Sequence, residues 1–121
     1  MLRRMLPILM VTLFAPALAA EPQVFEVKLE SYAIKPDTIT VKAGQPVTLR
    51  VKNEATFIPH NLIIKAPDAG IDVKLDLAAG KSGEVSFTPT KAGSYEMLCG
   101  KTPPIGKSHK QKGMHGMLVV E

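Results

Sequence analysis

The sequence predicts an all-β protein, an antiparallel β-sandwich of seven to eight short strands. Three observations carry that prediction. Several segments alternate apolar and polar residues, the period-two pattern of a strand with one buried face. Turn residues punctuate the chain about every 8–12 positions. No segment sustains the 3.6-residue apolar period that a helix of about ten residues would need.

Taken in order, Val24 to Glu30 alternates and reads as the first strand. Pro36-Asp37 breaks the chain before Thr38 to Lys42, a second alternating run. Ala43-Gly44-Gln45 makes a turn into Pro46 to Asn53, which alternates again. His60 to Lys65 reads as a more continuously apolar strand. Pro67-Asp-Ala-Gly70 marks a loop, and Ile71 to Leu77 fits either a short strand or an irregular crossing. Gly83 to Thr88 alternates and ends at Pro89. Gly93 to Cys99 and Met117 to Glu121 complete the set. There are no internal repeats, no low-complexity tract and no linker.

The first 19 residues have another purpose. Arg3 and Arg4 precede an apolar run from Met5 to Phe14, followed by Ala15-Pro-Ala17-Leu-Ala19-Ala20. A charged start, a short apolar centre and an A-x-A site describe a secretory signal peptide. Cleavage is expected after Ala19, with Ala20 the next choice. The apolar run is shorter than the roughly 20 residues a bilayer span requires. The two arginines and the short centre point to a bacterial leader and the periplasm. Residues 20–121 then form a single domain, large enough for one core.

Charge excludes one class of partner. The chain has 15 basic and 11 acidic residues. Without Arg3 and Arg4 the 13 remaining basic residues leave a net charge of +2, which is not a nucleic-acid balance. Its distribution is uneven. Lys101, Lys107, Lys110 and Lys112 cluster near the end of the chain. They read either as solubility charge or as a rim that steers an acidic partner.

Cys99 is the only cysteine. In an exported chain it has no internal disulfide partner, so its presence needs another reason. It ends the run Tyr95-Glu-Met-Leu-Cys99, ahead of His109 and of Gly113-Met114-His115-Gly116. Pro59-His60-Asn61 stands far upstream. One thiolate, two imidazoles and one thioether are the donors of a mononuclear electron-transfer copper site. Each residue also has a plainer reading: Cys99 as a small buried apolar group, His60 as a loop cap, Met114 as core. Met117 is a rival axial donor, and His115 reads as an exposed neighbour of the site, with a secondary metal contact as the alternative.

In their order, these residues resemble the cupredoxins, small blue-copper β-sandwiches. Ile34-Lys-Pro36, Ile39-Thr-Val41-Lys-Ala43-Gly44 and Val47-Thr-Leu49-Arg-Val51-Lys-Asn53 are similar to the family's opening half. His60-Asn61, Tyr95 to Cys99, His109 and the Gly-Met-x-Gly stretch around Met114 match its ligand segments. The resemblance implies a Greek-key fold and one copper ion per chain, held by His60, Cys99, His109 and Met114. It further implies that the Asn61 N–H supports the Cys99 sulfur, that the Asn61 side chain ties the ligand segments together, and that His109 is the electron port. The segment between Cys99 and His109 departs from plastocyanin-like members. It is longer, similar in length to the type 1 domain of copper nitrite reductases, and contains Pro103-Pro104.

Two functions follow as expectations. One is a periplasmic shuttle passing single electrons between redox proteins, such as a cytochrome or a copper reductase with an acidic docking face. The other is copper binding for tolerance or delivery. The donor set favours the shuttle, because a carrier is more often rich in Met or His and residues 20–121 contain three of each. Catalysis is not expected, since a second copper centre would need more histidines than His115. The protein is expected to be a monomer.

Overall fold

The computed structural model describes residues 22–121, together with residues 7, 8, 10 and 11. The expected cleavage site at Ala17-Leu18-Ala19 lies outside the described residues. Among those described, no helix is long and apolar enough to cross a membrane.

Among the described residues, nine strands form two sheets. The first contains β1 (Gln23–Glu30), β2 (Ala33–Lys35), β4 (Val47–Asn53) and β7 (Ser82–Phe87), in the order β2-β1-β4-β7. The second contains β3 (Thr38–Val41), β5 (His60–Ala66), β6 (Ile71–Leu77), β8 (Gly93–Leu98) and β9 (His115–Val120), in the order β3-β9-β8-β5-β6. A 3-10 turn at Pro67–Ala69 joins β5 to β6, closed by Gly70 at φ 73°.

Alternation in the sequence becomes burial in the sandwich. Val47, Leu49 and Val51 of β4 point inward, with Val27 and Leu29 of β1. From the second sheet they meet Ile39, Val41, Leu62, Ile64, Ile71, Met97, Leu118 and Val120. Each such aliphatic side chain contributes about 1.5–3 kcal/mol when withdrawn from water. The β5 run His60-Asn61-Leu62 is buried at every position, because β5 lies between β8 and β6 and its start is covered by loops.

The architecture is the expected all-β sandwich, with two differences of detail. There are nine strands rather than seven to eight, because Ala33–Lys35 pairs with β1 as a strand and Ile71–Leu77 is a full strand against β5. The sheets are also mixed: β1 runs parallel to β4, and β3 parallel to β9. Both follow from one event. At Pro36-Asp37 the chain leaves the first sheet for the second, then returns as β4 alongside β1. Local alternation specifies which face is buried, not which neighbour is chosen.

Candidate metal centre

Strand order places the candidate ligands. β8 lies between β9 and β5 and is antiparallel to both, with Leu98 opposite Ile63 and His115. The end of β8 therefore coincides with the starts of β5 and β9. His60 opens β5, Cys99 follows β8 and Met114 precedes β9.

The segment between β8 and β9 is irregular but tied by its own backbone. The His109 N–H donates to Lys101 O (2.9 Å), the Met114 N–H to His109 O (3.1 Å) and the Cys99 N–H to Met114 O (3.1 Å). Three candidate ligands are thus linked through main-chain hydrogen bonds. Ser108 and Gln111 set the turn around His109. The Gln111 N–H donates to Ser108 Oγ (3.2 Å), and the Ser108 N–H to Gln111 Oε1 (2.9 Å). This is the reciprocity of a capping box. Gly113 turns the chain at φ 114°. A side chain there would also press on the Tyr32 carbonyl, 3.0 Å from a Cβ position.

Three donor atoms converge. His60 Nδ1 lies 3.2 Å from His109 Nδ1 and 3.9 Å from Cys99 Sγ, and His109 Nδ1 lies 3.5 Å from the sulfur. A triangle with these sides has its corners about 2.1 Å from a common centre, close to the ~2.0–2.1 Å of a first-row metal–nitrogen bond and slightly short of ~2.3 Å for metal–sulfur. A proton shared between the two imidazoles satisfies one edge of that triangle, whereas a cation at its centre satisfies all three corners. The site fits a metal. His60, Cys99 and Met114 are fully buried, and His109 is 6 % exposed. Burial, and secondarily the neighbouring His109, hold the His60 imidazole below its ordinary pKa. Burial does the same for His109, followed by the ammoniums of Lys112 and Lys101. Both rings are thereby kept in the neutral form that binds a metal.

Met114 is fixed by its two backbone bonds, and its side chain is wholly enclosed. Met117, the rival axial donor, is 43 % exposed on β9. His115 lies outside the donor group, on an open face with Asp37 and Glu96. His60, Cys99 and His109 cluster as candidate metal donors, the buried Met114 is hydrogen-bonded through its backbone to two of them, and the softness of this donor set matches copper.

A family model described as a cupredoxin-like domain matches residues 3–120. The chain belongs to this family. No curated protein matches it in sequence. Among solved structures it is similar to dithionite-reduced auracyanin from Roseiflexus castenholzii. That match has 26 % identity, covers 84 % of this chain and 98 % of the other, and has a TM-score of 0.64. It is also similar to auracyanin A, a blue copper protein from Chloroflexus aurantiacus, at 29 % identity, 84 % and 100 % coverage and a TM-score of 0.63. A copper-containing nitrite reductase from Thermus scotoductus shares the fold at 22 % identity, with 84 % of this chain covering 28 % of that one and a TM-score of 0.62.

Around the cupredoxin donors lies a layer of supports. The Asn61 N–H donates to Cys99 Sγ at 3.4 Å. Asn61 Oδ1 accepts from the Gly100 N–H (2.7 Å), and its Nδ2 donates to Asp76 Oδ1 (3.2 Å). These are the contacts that the resemblance implied. Asp76 also pairs with Lys101 (3.1 Å). Its hydrogen bonds from Lys101 and Asn61 hold its carboxyl below the usual pKa.

Several supports were missed in the sequence. Asn53, fully buried, donates to Ile58 O (2.9 Å) and Leu77 O (3.1 Å) and accepts from the Ala55 N–H (3.0 Å). It shapes the loop that delivers His60. Ser-x-x-Gln at Ser108 to Gln111 carried a recognisable signal. Tyr32 carried none. Its ring packs edge-on against both imidazoles.

Proposed function

We propose that the protein is an exported type 1 copper protein that carries single electrons between redox partners. The observation that supports this most directly is the buried triangle of two Nδ1 atoms and one thiolate sulfur. Copper bound there would supply a one-electron couple tuned by the Met114 thioether and by the surroundings of the thiolate.

The residues have separable tasks. His60, Cys99, His109 and Met114 would hold the ion. Asn61 directs its N–H at the sulfur and withdraws charge from it. Asn61 Oδ1 anchors Gly100, so the thiolate segment keeps its position when charge changes. Enclosure of the donors excludes water and limits rearrangement. Copper delivery would favour donors open to an incoming chelator, and here all are buried.

The face over the site suits a partner. Phe57 and Ile105, each 90 % exposed, flank a cavity of about 390 Å³ that reaches His109. Lys101 and Lys112 line it. Lys101 is paired with Asp76 (3.1 Å), and elsewhere on the ligand loop Lys110 is paired with Glu96 (2.8 Å) while Lys107 has no ion partner among the described residues. An acidic redox protein fits this combination. With the leader-like segment at residues 1–19, this reading puts the exchange in the periplasm.

The test is copper loading with absorption and voltammetry. The oxidised protein should show an intense visible thiolate-to-copper band, and a reversible one-electron wave. Cys99→Ser should abolish the band. Persistence of the band in that variant would overturn the ligand assignment, and an irreversible wave would overturn the carrier role.

A further inference from the structure

We infer that Tyr32 is a positioning residue of the metal centre, bracing both histidine ligands edge-on and clamped in place by Lys112. The inference deepens the copper reading and rests on it.

Four observations meet at this residue. The Tyr32 ring lies 5.4 Å from the His109 ring at 78°, and 6.5 Å from the His60 ring at 77°. The two imidazoles are themselves 5.0 Å apart at 72°. The three rings form one edge-to-face cluster, within the separations at which aromatic pairs attract. Lys112 places Nζ 4.4 Å from the centroid of the Tyr32 ring, inside cation–π range, and 3.4 Å from its hydroxyl. Lys112 follows His109 on the ligand loop, so the clamp joins the β1–β2 turn to the segment it restrains. Tyr32 also adopts φ 64°, the one positive value at a non-glycine among the described residues.

That backbone is the informative part. A tyrosine in the left-handed region is strained, and glycine or asparagine would sit there more easily. Such a conformation persists only where the surroundings impose it, and it clusters at functional sites. What the tyrosine adds at this turn is its ring. Without the ring, His109 would be held on its outer side only by the metal bond and by the loop's own backbone hydrogen bonds. With it, rotation of either imidazole meets a wall. A ligand that cannot swing away releases its metal slowly and changes little between oxidation states.

The experiment compares wild type, Tyr32→Phe, Tyr32→Asn and Lys112→Met. Asparagine tolerates the backbone and deletes the ring; phenylalanine keeps the ring. Copper loss to a chromophoric chelator should be about tenfold faster in Tyr32→Asn, the loss of two aromatic contacts. Tyr32→Phe should stay within about twofold of wild type, and Lys112→Met should fall between. Equal release from Tyr32→Asn and wild type overturns the inference, as does Tyr32→Phe behaving like Tyr32→Asn. Wild-type release from Lys112→Met overturns the clamp. If Tyr32→Asn does not fold, NMR of the wild-type apoprotein decides. Cross-relaxation between Tyr32 ring protons and the imidazole protons of His60 and His109 supports the brace, and its absence overturns it. Should wild type take up no copper, the copper reading fails alone, and the apoprotein contacts still test the ring.

Discussion

Asn61→Ala separates what the asparagine backbone does from what its side chain does. The side chain makes two hydrogen bonds. Truncation leaves the part-buried Gly100 N–H without its 2.7 Å acceptor, and an orphaned donor of this kind costs about 1–3 kcal/mol. The bond to Asp76 adds little, because that carboxylate is 53 % exposed and keeps Lys101. Water replaces the lost partner. The expected loss is therefore about 2 kcal/mol, and at about 4–8 °C per kcal/mol for a domain of this size the melting point falls by about 8–16 °C. The main-chain N–H to Cys99 Sγ survives the substitution, so the visible band of the copper form should keep its wavelength while copper leaves faster. Calorimetry of the apoprotein and a chelator assay of the loaded form read the two effects. Asp76→Asn as a control should cost much less. An apoprotein melting point unchanged in Asn61→Ala would show that Gly100 finds another acceptor and that the side chain is not a brace.

Met114→Leu should leave copper bound and raise the reduction potential, since an axial donor favouring Cu(II) is lost; an unchanged voltammogram would remove Met114 from the site. The apoprotein should lose stability as pH falls below about 6.5, where the unfolded chain protonates histidines that the fold keeps neutral. Urea midpoints at about pH 7.5 and pH 5 check the sign, with the carboxylates still ionised across that window. Gly116→Ala should destabilise by about 1–3 kcal/mol, because its Cβ would run into the Asp37 carbonyl just before β3; chemical denaturation measures it. Lys107→Gln with Lys110→Gln should slow reduction by an acidic redox protein and flatten its ionic-strength dependence, read by stopped-flow.

Much of the fold was written locally. In β1 and β4 every second residue is apolar, and those residues became the core, because pleating sends neighbours to opposite faces. β2 was missed: three residues hold too little pattern, and only its pairing with β1 makes Ala33–Lys35 a strand. Ile71–Leu77 was ambiguous until β5 lay beside it. The donors were legible for a different reason. Thiolate, imidazole and thioether are rare groups, and their chemistry narrows the metal before their positions are known.

The amino-acid order alone thus determined the burial pattern and the all-β class and pointed to the candidate donors, since these depend on side-chain chemistry and on spacing along one strand. Three-dimensional packing decided the rest. It chose parallel neighbours for β1 and β3, brought His60 within 3.9 Å of a sulfur 39 positions away, and set Tyr32 against both imidazoles. Those contacts join segments distant in the chain, and no local pattern encodes a distance that only closure of the sandwich creates.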